Sequence, residues 1–235
     1  MQTKGKSLFY LDTKRVAAMA IVVALYILLS WLSKLLNLQV FPVAAFLKIE
    51  FTDFLVLLAV RLFGIIYASL LTISVSWLRM AYLGDGPIDA FALMLADLIF
   101  LIVFWIGDVF IHKAVNHFAK NNTSKKMDYL ITIGNVILAT IAVSFLMTLF
   151  NQLFIYDMYA RFLNYSPEAI QWFKSILVPV FIPFNLLKFT INSVIFIAIY
   201  RAIVHLEKNF TVIVQVKPKL KQPFYDFDIT DEIYF

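Results

Sequence analysis

The segment Pro183-Phe184-Asn185-Leu186-Leu187-Lys188 sets an amide and an ammonium inside a stretch that otherwise runs apolar from Ile176 to Tyr200. A charged group held at bilayer depth costs kilocalories and marks a functional position. On a helix, Asn185 and Lys188 are three apart and Asn192 follows four later, so the three share one face. Such a face can recognise a polar ligand.

Composition agrees with a membrane setting: the chain is 62% hydrophobic, 17% aromatic and 15% charged, with a mean hydropathy of +0.85. These values describe an all-α integral membrane protein rather than an ordinary soluble domain. The 235 residues carry several apolar stretches near the ~20 residues that cross a bilayer, which fits one polytopic domain. The absence of cysteine excludes disulfides, thiolate metal sites and a thiol nucleophile. A net charge of +5 points to basic loops at a membrane rather than to nucleic acid, because the aromatics lie within the spans.

Six transmembrane helices are predicted. The first runs from about Arg15 to Leu36 and is too long for a secretory signal core. Phe51 to Tyr82 is interrupted at Arg61-Leu62-Phe63-Gly64, giving a short second helix and a third. Gly84-Asp85-Gly86-Pro87 reads as a turn into a fourth helix that reaches Phe118. A fifth spans Tyr129 to Tyr156, a loop covers Asp157 to Ser175, and a sixth spans Ile176 to Leu206. The six-helix domain is thus 1–206, and 207–235 is expected to be a polar, solvated and disordered cytoplasmic tail.

Lys4, Lys6, Lys14 and Arg15, then Lys113, Lys120, Lys125 and Lys126, then Arg201, Lys208, Lys217, Lys219 and Lys221 fall on one side of a six-helix topology. By the positive-inside rule that side, with both termini, is cytoplasmic. Asn185 and Lys188 then sit in the outer part of the sixth helix. Matching polar stripes occur at Thr140, Ser144, Thr148 and Asn151 in the fifth helix, and at Ser69, Thr72, Ser76 and Arg79 in the third. The hydroxyl residues read first as bonds back to their own helix, whereas the asparagines and lysine are costlier to bury without a role.

Among the carboxylates, Asp97 is expected to pair with Arg79, with a proton relay as the alternative. Asp108 reads as solvated near the cytoplasmic end, and Glu50 and Asp53 as charges suited to the start of the second helix. Enzyme signatures are absent: there is no G-x-x-x-x-G-K-[ST], no H-E-x-x-H and no G-x-S-x-G. The Asp85-Gly86 pair reads as a turn.

Several segments resemble the substrate-binding S component of energy-coupling factor (ECF) vitamin transporters, the riboflavin-binding branch most of all. Leu47-Lys48-Ile49-Glu50-Phe51-Thr52-Asp53 resembles the family's L-x-[LI]-[DE]-F-[ST]-D lead into helix two, and Phe63-Gly64 its F-G turn. Leu83-Gly84-Asp85 with Ala90-Phe91 resembles its x-G-D loop, and Pro183 to Lys188 its P-F-N-[LI]-[IL]-K segment. The similarity runs in order from about Arg15 to Arg201. Departures occur at Val75-Ser76-Trp77-Leu78-Arg79, where members often carry lysine and asparagines, at Ile65 in place of a common proline, and at Phe189 in place of a common glycine.

The resemblance implies a subunit, not an enzyme, that binds a vitamin from outside and carries it inward with a membrane scaffold subunit and two cytoplasmic ATPases. Riboflavin is the leading ligand; folate, pantothenate or thiamine, and more remotely a membrane enzyme or stand-alone facilitator, are the alternatives. No cofactor or metal is implied. The family's flavin-contacting positions map onto Asn185, Lys188 and Asn151, and a loop glycine beside the ligand maps onto Gly84. Leu47, Phe51, Phe150, Phe154 and Phe184 are then expected to pack the ligand's aromatic face, under a lid formed by the linker Asn37 to Glu50. Ala20 and Ala24, with Ala17, match the family's A-x-x-x-A contact with the scaffold subunit, the alternative being helix packing within the bundle.

Overall fold

Apolar sequence of this length folds as helices because each peptide group in lipid must find its hydrogen bond within its own segment. The computed structural model describes residues 13–41, 47–118, 125–163 and 166–213. Among these are α1 (Thr13–Leu36), α2 (Asp53–Phe63), α3 (Ile65–Tyr82), α4 (Pro87–Phe118), α5 (Lys125–Phe150), α6 (Tyr156–Phe162) and α7 (Pro167–Ile213), with a π-helical turn at Asn151–Ile155 joining α5 to α6.

Among the described residues, five helical stretches are long and apolar enough to cross a membrane: Thr13–Leu36, Ile65–Tyr82, Pro87–Ile111, Met127–Phe162 and Val178–Tyr200. The second predicted span is present as α2 but has 11 residues, about 16 Å of helix against a hydrocarbon core of about 30 Å. Asp53 and every residue from Leu55 to Phe63 are buried, so α2 is a central strut enclosed by its neighbours rather than a lipid-facing span. Gly64 closes it at φ 84, a backbone conformation that favours glycine and permits the abrupt corner into α3.

α1 turns Val22, Tyr26, Ser30 and Ser33 inward at helical spacing. It stops at Asn37, whose φ of 47 is a left-handed conformation that asparagine tolerates. The linker then doubles back: Gln39 and Lys48 form an antiparallel bridge, and Ile49 N donates to Leu38 O at 3.0 Å. Residues 42–46, the middle of the expected lid, lie outside the described residues.

Two hydroxyl contacts fix α5 against α7. Thr132 Oγ1 and Tyr200 OH are 3.2 Å apart, and Thr140 Oγ1 and Ser193 Oγ are 2.9 Å apart, so the helices are antiparallel. Between α4 and α7, Phe100 and Phe189 rings pack at 4.8 Å and Phe104 and Phe196 at 5.8 Å. In lipid these contacts act by close packing, since the tails are as apolar as the side chains.

The predicted loop from Asp157 to Ser175 is instead largely helical. Its first part is α6, and α7 begins at Pro167, a favoured first-turn residue. α7 passes through Pro179 and Pro183 without ending; each proline removes one backbone donor, which long membrane helices accommodate. Lys174 Nζ and Asp157 Oδ1, 2.9 Å apart, tie α7 to α6. At its other end α7 continues past Leu206 to Ile213, and the expected tail from 214 onward lies outside the described residues.

Candidate functional site

The polar groups converge where the start of α2 meets the middle of α7. Asn192 is fully buried. Its Nδ2 donates to Glu50 O at 2.8 Å and to Asp53 Oδ2 at 3.3 Å, while its Oδ1 accepts from Phe54 N at 3.2 Å. One side chain thus pairs Phe54 N, a donor that the helix start leaves without an intrahelical partner, and ties the preceding Glu50 carbonyl to α7. Thr52, at the N-cap position, makes no capping side-chain bond.

One turn earlier on α7, Lys188 Nζ lies 3.3 Å from Asp53 Oδ2. Glu50 does not cap α2 either: Arg79 NH1 and NH2 donate to its two carboxylate oxygens at 2.7 Å each. Arg79 Nε donates to Asp85 Oδ2 at 2.7 Å. For Glu50 the expected role at the α2 dipole is corrected, because the Arg79 guanidinium holds its carboxylate, whereas Asp53 sits in the first turn of α2 as expected and also faces Lys188. Glu50 lies in the linker, outside the spans. Burial opposes its ionisation, and the Arg79 guanidinium overrides that cost and holds the carboxyl below its ordinary value.

The expected Arg79–Asp97 pair does not form. α3 and α4 are antiparallel around the Gly84 turn, which leaves Asp97 about 9 Å deeper along the axis than Arg79. Asp97 is fully buried and accepts a bond from Tyr26 OH at 3.4 Å. Asp108 is likewise buried rather than solvated, 3.4 Å from Arg61 NH1. Arg61 NH2 also donates to Thr132 Oγ1 at 2.9 Å and Tyr200 OH at 3.3 Å, and Tyr200 OH donates to Asp128 Oδ2 at 2.6 Å. This second cluster joins α2, α4, α5 and α7 about 18 Å along α7 from Lys188. It was invisible in the sequence because its members come from four separate segments.

Asn185 and Lys188 are both buried on the α7 face that meets α2. The α5–α7 register places Asn185 level with Thr148, and Asn151 about 4.5 Å further along the axis toward α6, which brings the three predicted polar residues to the same part of the bundle. Asn151 Nδ2 donates to Met147 O at 2.7 Å, and Asn151 opens the π-helical turn, a helix irregularity frequent at functional sites. Phe184 is buried, Leu47 half-buried, and Gly84 exposed at φ 69. Phe150, Phe154 and Phe91 form a ring ladder beside Asn151, with centroids 5.6 Å and 6.3 Å apart. Of these, the sequence had not singled out Phe91, Glu50–Arg79 or Asp85 for the site.

A groove of about 700 Å³ between α5 and α7, lined by Tyr129, Ile137, Leu186, Thr190 and Val194 among others, is a different feature. Its α7 residues project about 150° away from Asn185 and Lys188, and it is mainly apolar. Ala17, Ala20 and Ala24 are exposed on α1, so the alternative that they pack within the bundle does not hold.

Comparison with known proteins identifies the family. Residues 14–200 match the family ECF transporter, substrate-specific component. The chain is 27% identical over 195 residues to the riboflavin transporter RibU of Streptococcus thermophilus, covering 83% of this chain and 85% of that protein. It is 26% identical over 185 residues to RibU of Staphylococcus aureus, covering 77% and 89% respectively. A solved structure described as "Structure and mechanism of the S component of a bacterial ECF transporter" superposes with a TM-score of 0.60 at 23% identity, over 83% of this chain and 98% of that one, which supports the fold. This membrane protein therefore belongs to the family of ECF transporter substrate-specific components.

Proposed function

We propose that the chain captures riboflavin at the outer polar end of the bundle and delivers it inward together with an energising module of one membrane scaffold subunit and two cytoplasmic ATPases. The observation that carries this reading is that Asn151, Asn185 and Lys188 are all buried and fall within a few turns of one another by the α5–α7 register. Both curated relatives are named as riboflavin transporters. The chemistry fits a uracil-like edge: the two amides donate and accept, and the ammonium donates to ring carbonyls or nitrogens. Phe150, Phe154, Phe91 and Phe184 offer aromatic surface to a fused ring system.

In this reading α2 is the short sixth crossing, both termini are cytoplasmic, and the described end of the linker, residues 47–50, lies over the site. The exposed Ala17, Ala20 and Ala24 face contacts the scaffold subunit, where small side chains allow close helix approach. The chain is a binding and translocation subunit, not an enzyme.

Titration of the purified protein with riboflavin, read by quenching of flavin fluorescence, tests the ligand. Saturable quenching with a yellow preparation supports it; no quenching, with thermal stabilisation by folate, pantothenate or thiamine instead, would replace riboflavin by that vitamin. Uptake into vesicles by this chain without any ATPase module would overturn the subunit reading.

A further inference from the structure

Arg79 joins two segments that are otherwise unconnected in the sequence. Its guanidinium is buried, with two nitrogens on Glu50 and the third on Asp85, each bond 2.7 Å. Glu50 ends the linker from α1, and Asp85 follows Gly84 in the turn between α3 and α4. Planar guanidinium geometry satisfies both carboxylates at once, which a lysine ammonium does not reproduce.

Each segment is also held by a second, separate tie. The linker is fixed by Phe51 N on Ser33 Oγ at 3.1 Å and by Glu50 O on Asn192. The turn is fixed by Lys34 Nζ on Leu83 O. Loss of the guanidinium would therefore free the two segments from each other without releasing either from the bundle.

We propose that Arg79 is a positioning residue that locks the end of the linker, residues 47–51, and the Gly84 turn into one unit, and so sets how fast a bound ligand leaves. The second half rests on the functional reading above. Neither segment moves alone: opening the linker breaks a partly buried bidentate ion pair, and opening the turn breaks the third bond of the same group.

The test compares wild type, Arg79→Gln, Arg79→Lys and Asp85→Asn. Asp85→Asn weakens only one arm and keeps the Glu50 pair, so it serves should Arg79→Gln fail to fold. Amide hydrogen exchange is followed at 47–51 and 83–86 beside riboflavin dissociation measured by stopped flow. Arg79→Gln should accelerate exchange in both segments together and raise the dissociation rate by roughly tenfold, with association changed far less. Arg79→Lys and Asp85→Asn should fall between it and wild type. Exchange rising in one segment alone, or unchanged dissociation in an Arg79→Gln protein that still binds, would overturn the lock. Absence of flavin binding by wild type would instead remove the functional reading, and the exchange pattern would still decide whether Arg79 couples the two segments.

Discussion

Lys188 Nζ is held 3.3 Å from Asp53 Oδ2, with both side chains buried where α7 meets the start of α2. The ammonium expected from the sequence to meet a ligand is thus already compensated by an internal carboxylate. A ligand carbonyl at Lys188 would share that ammonium with Asp53 rather than meet an isolated charge.

Replacing Lys188 alone should therefore harm the fold as well as binding. From sequence, Lys188→Met reads as the harmless removal of an intramembrane charge, but here it strands a buried Asp53 carboxylate, at a cost of about 3 to 5 kcal/mol. The pair Asp53→Asn with Lys188→Met should recover most thermal stability yet bind riboflavin about one to two orders of magnitude more weakly, matching a lost charge-assisted hydrogen bond of ~1.5 to 3 kcal/mol. Recovery of both stability and affinity would make Lys188 purely structural.

The Arg61 cluster should behave in the opposite way. Arg61→Met removes the cation facing Asp108 and should destabilise by about 3 to 5 kcal/mol. Because the cluster lies about 18 Å along α7 from Lys188, riboflavin affinity of the folded fraction should stay within about threefold of wild type. Thermal unfolding and fluorescence titration on the same preparation check both halves.

Gly107 lies against α5, where an added Cβ would sit 2.0 Å from Asn135 Oδ1 and 2.9 Å from its Cγ. Asn135 is fully buried and its Nδ2 donates to Phe104 O at 2.6 Å, so it cannot yield freely. Gly107→Ala should cost about 1 to 3 kcal/mol through overpacking. Pairing it with Asn135→Ala should return part of that loss.

Acid should loosen the linker. Glu50 has its pKa depressed in the folded chain, so it contributes stability that is present above its unfolded value and is lost as pH falls through the lower folded value. The melting temperature should drop in that acidic window, and Glu50→Gln should flatten the drop. A Glu50→Gln protein with the wild-type pH profile would show that Glu50 is not responsible.

Orientation is testable cleanly because the chain has no cysteine. With cytoplasmic termini, an impermeant maleimide applied to intact cells should label Ser166→Cys and leave Lys113→Cys unlabelled until lysis. Both positions are exposed. The reverse pattern would invert the topology.

The sequence alone carried the membrane class, the positions of the long helices and the polar residues of α5 and α7, because these depend on local hydropathy and helical spacing, which act over a few turns. Gly64 and the Gly84 turn were legible for the same reason, since positive φ favours one residue type. It misjudged the start of α7, because the polar residues Glu168, Gln171 and Lys174 end the apolar signal near Ile176, whereas the helix runs back to Pro167. The partners of the charged groups were decided by the tertiary structure alone. Arg79 chose Glu50 and Asp85 over Asp97, and Lys188 met Asp53, because Coulomb attraction and desolvation depend on distance through the bundle. That distance is set by helix register and by a linker that folds back, and neither is written in any single segment.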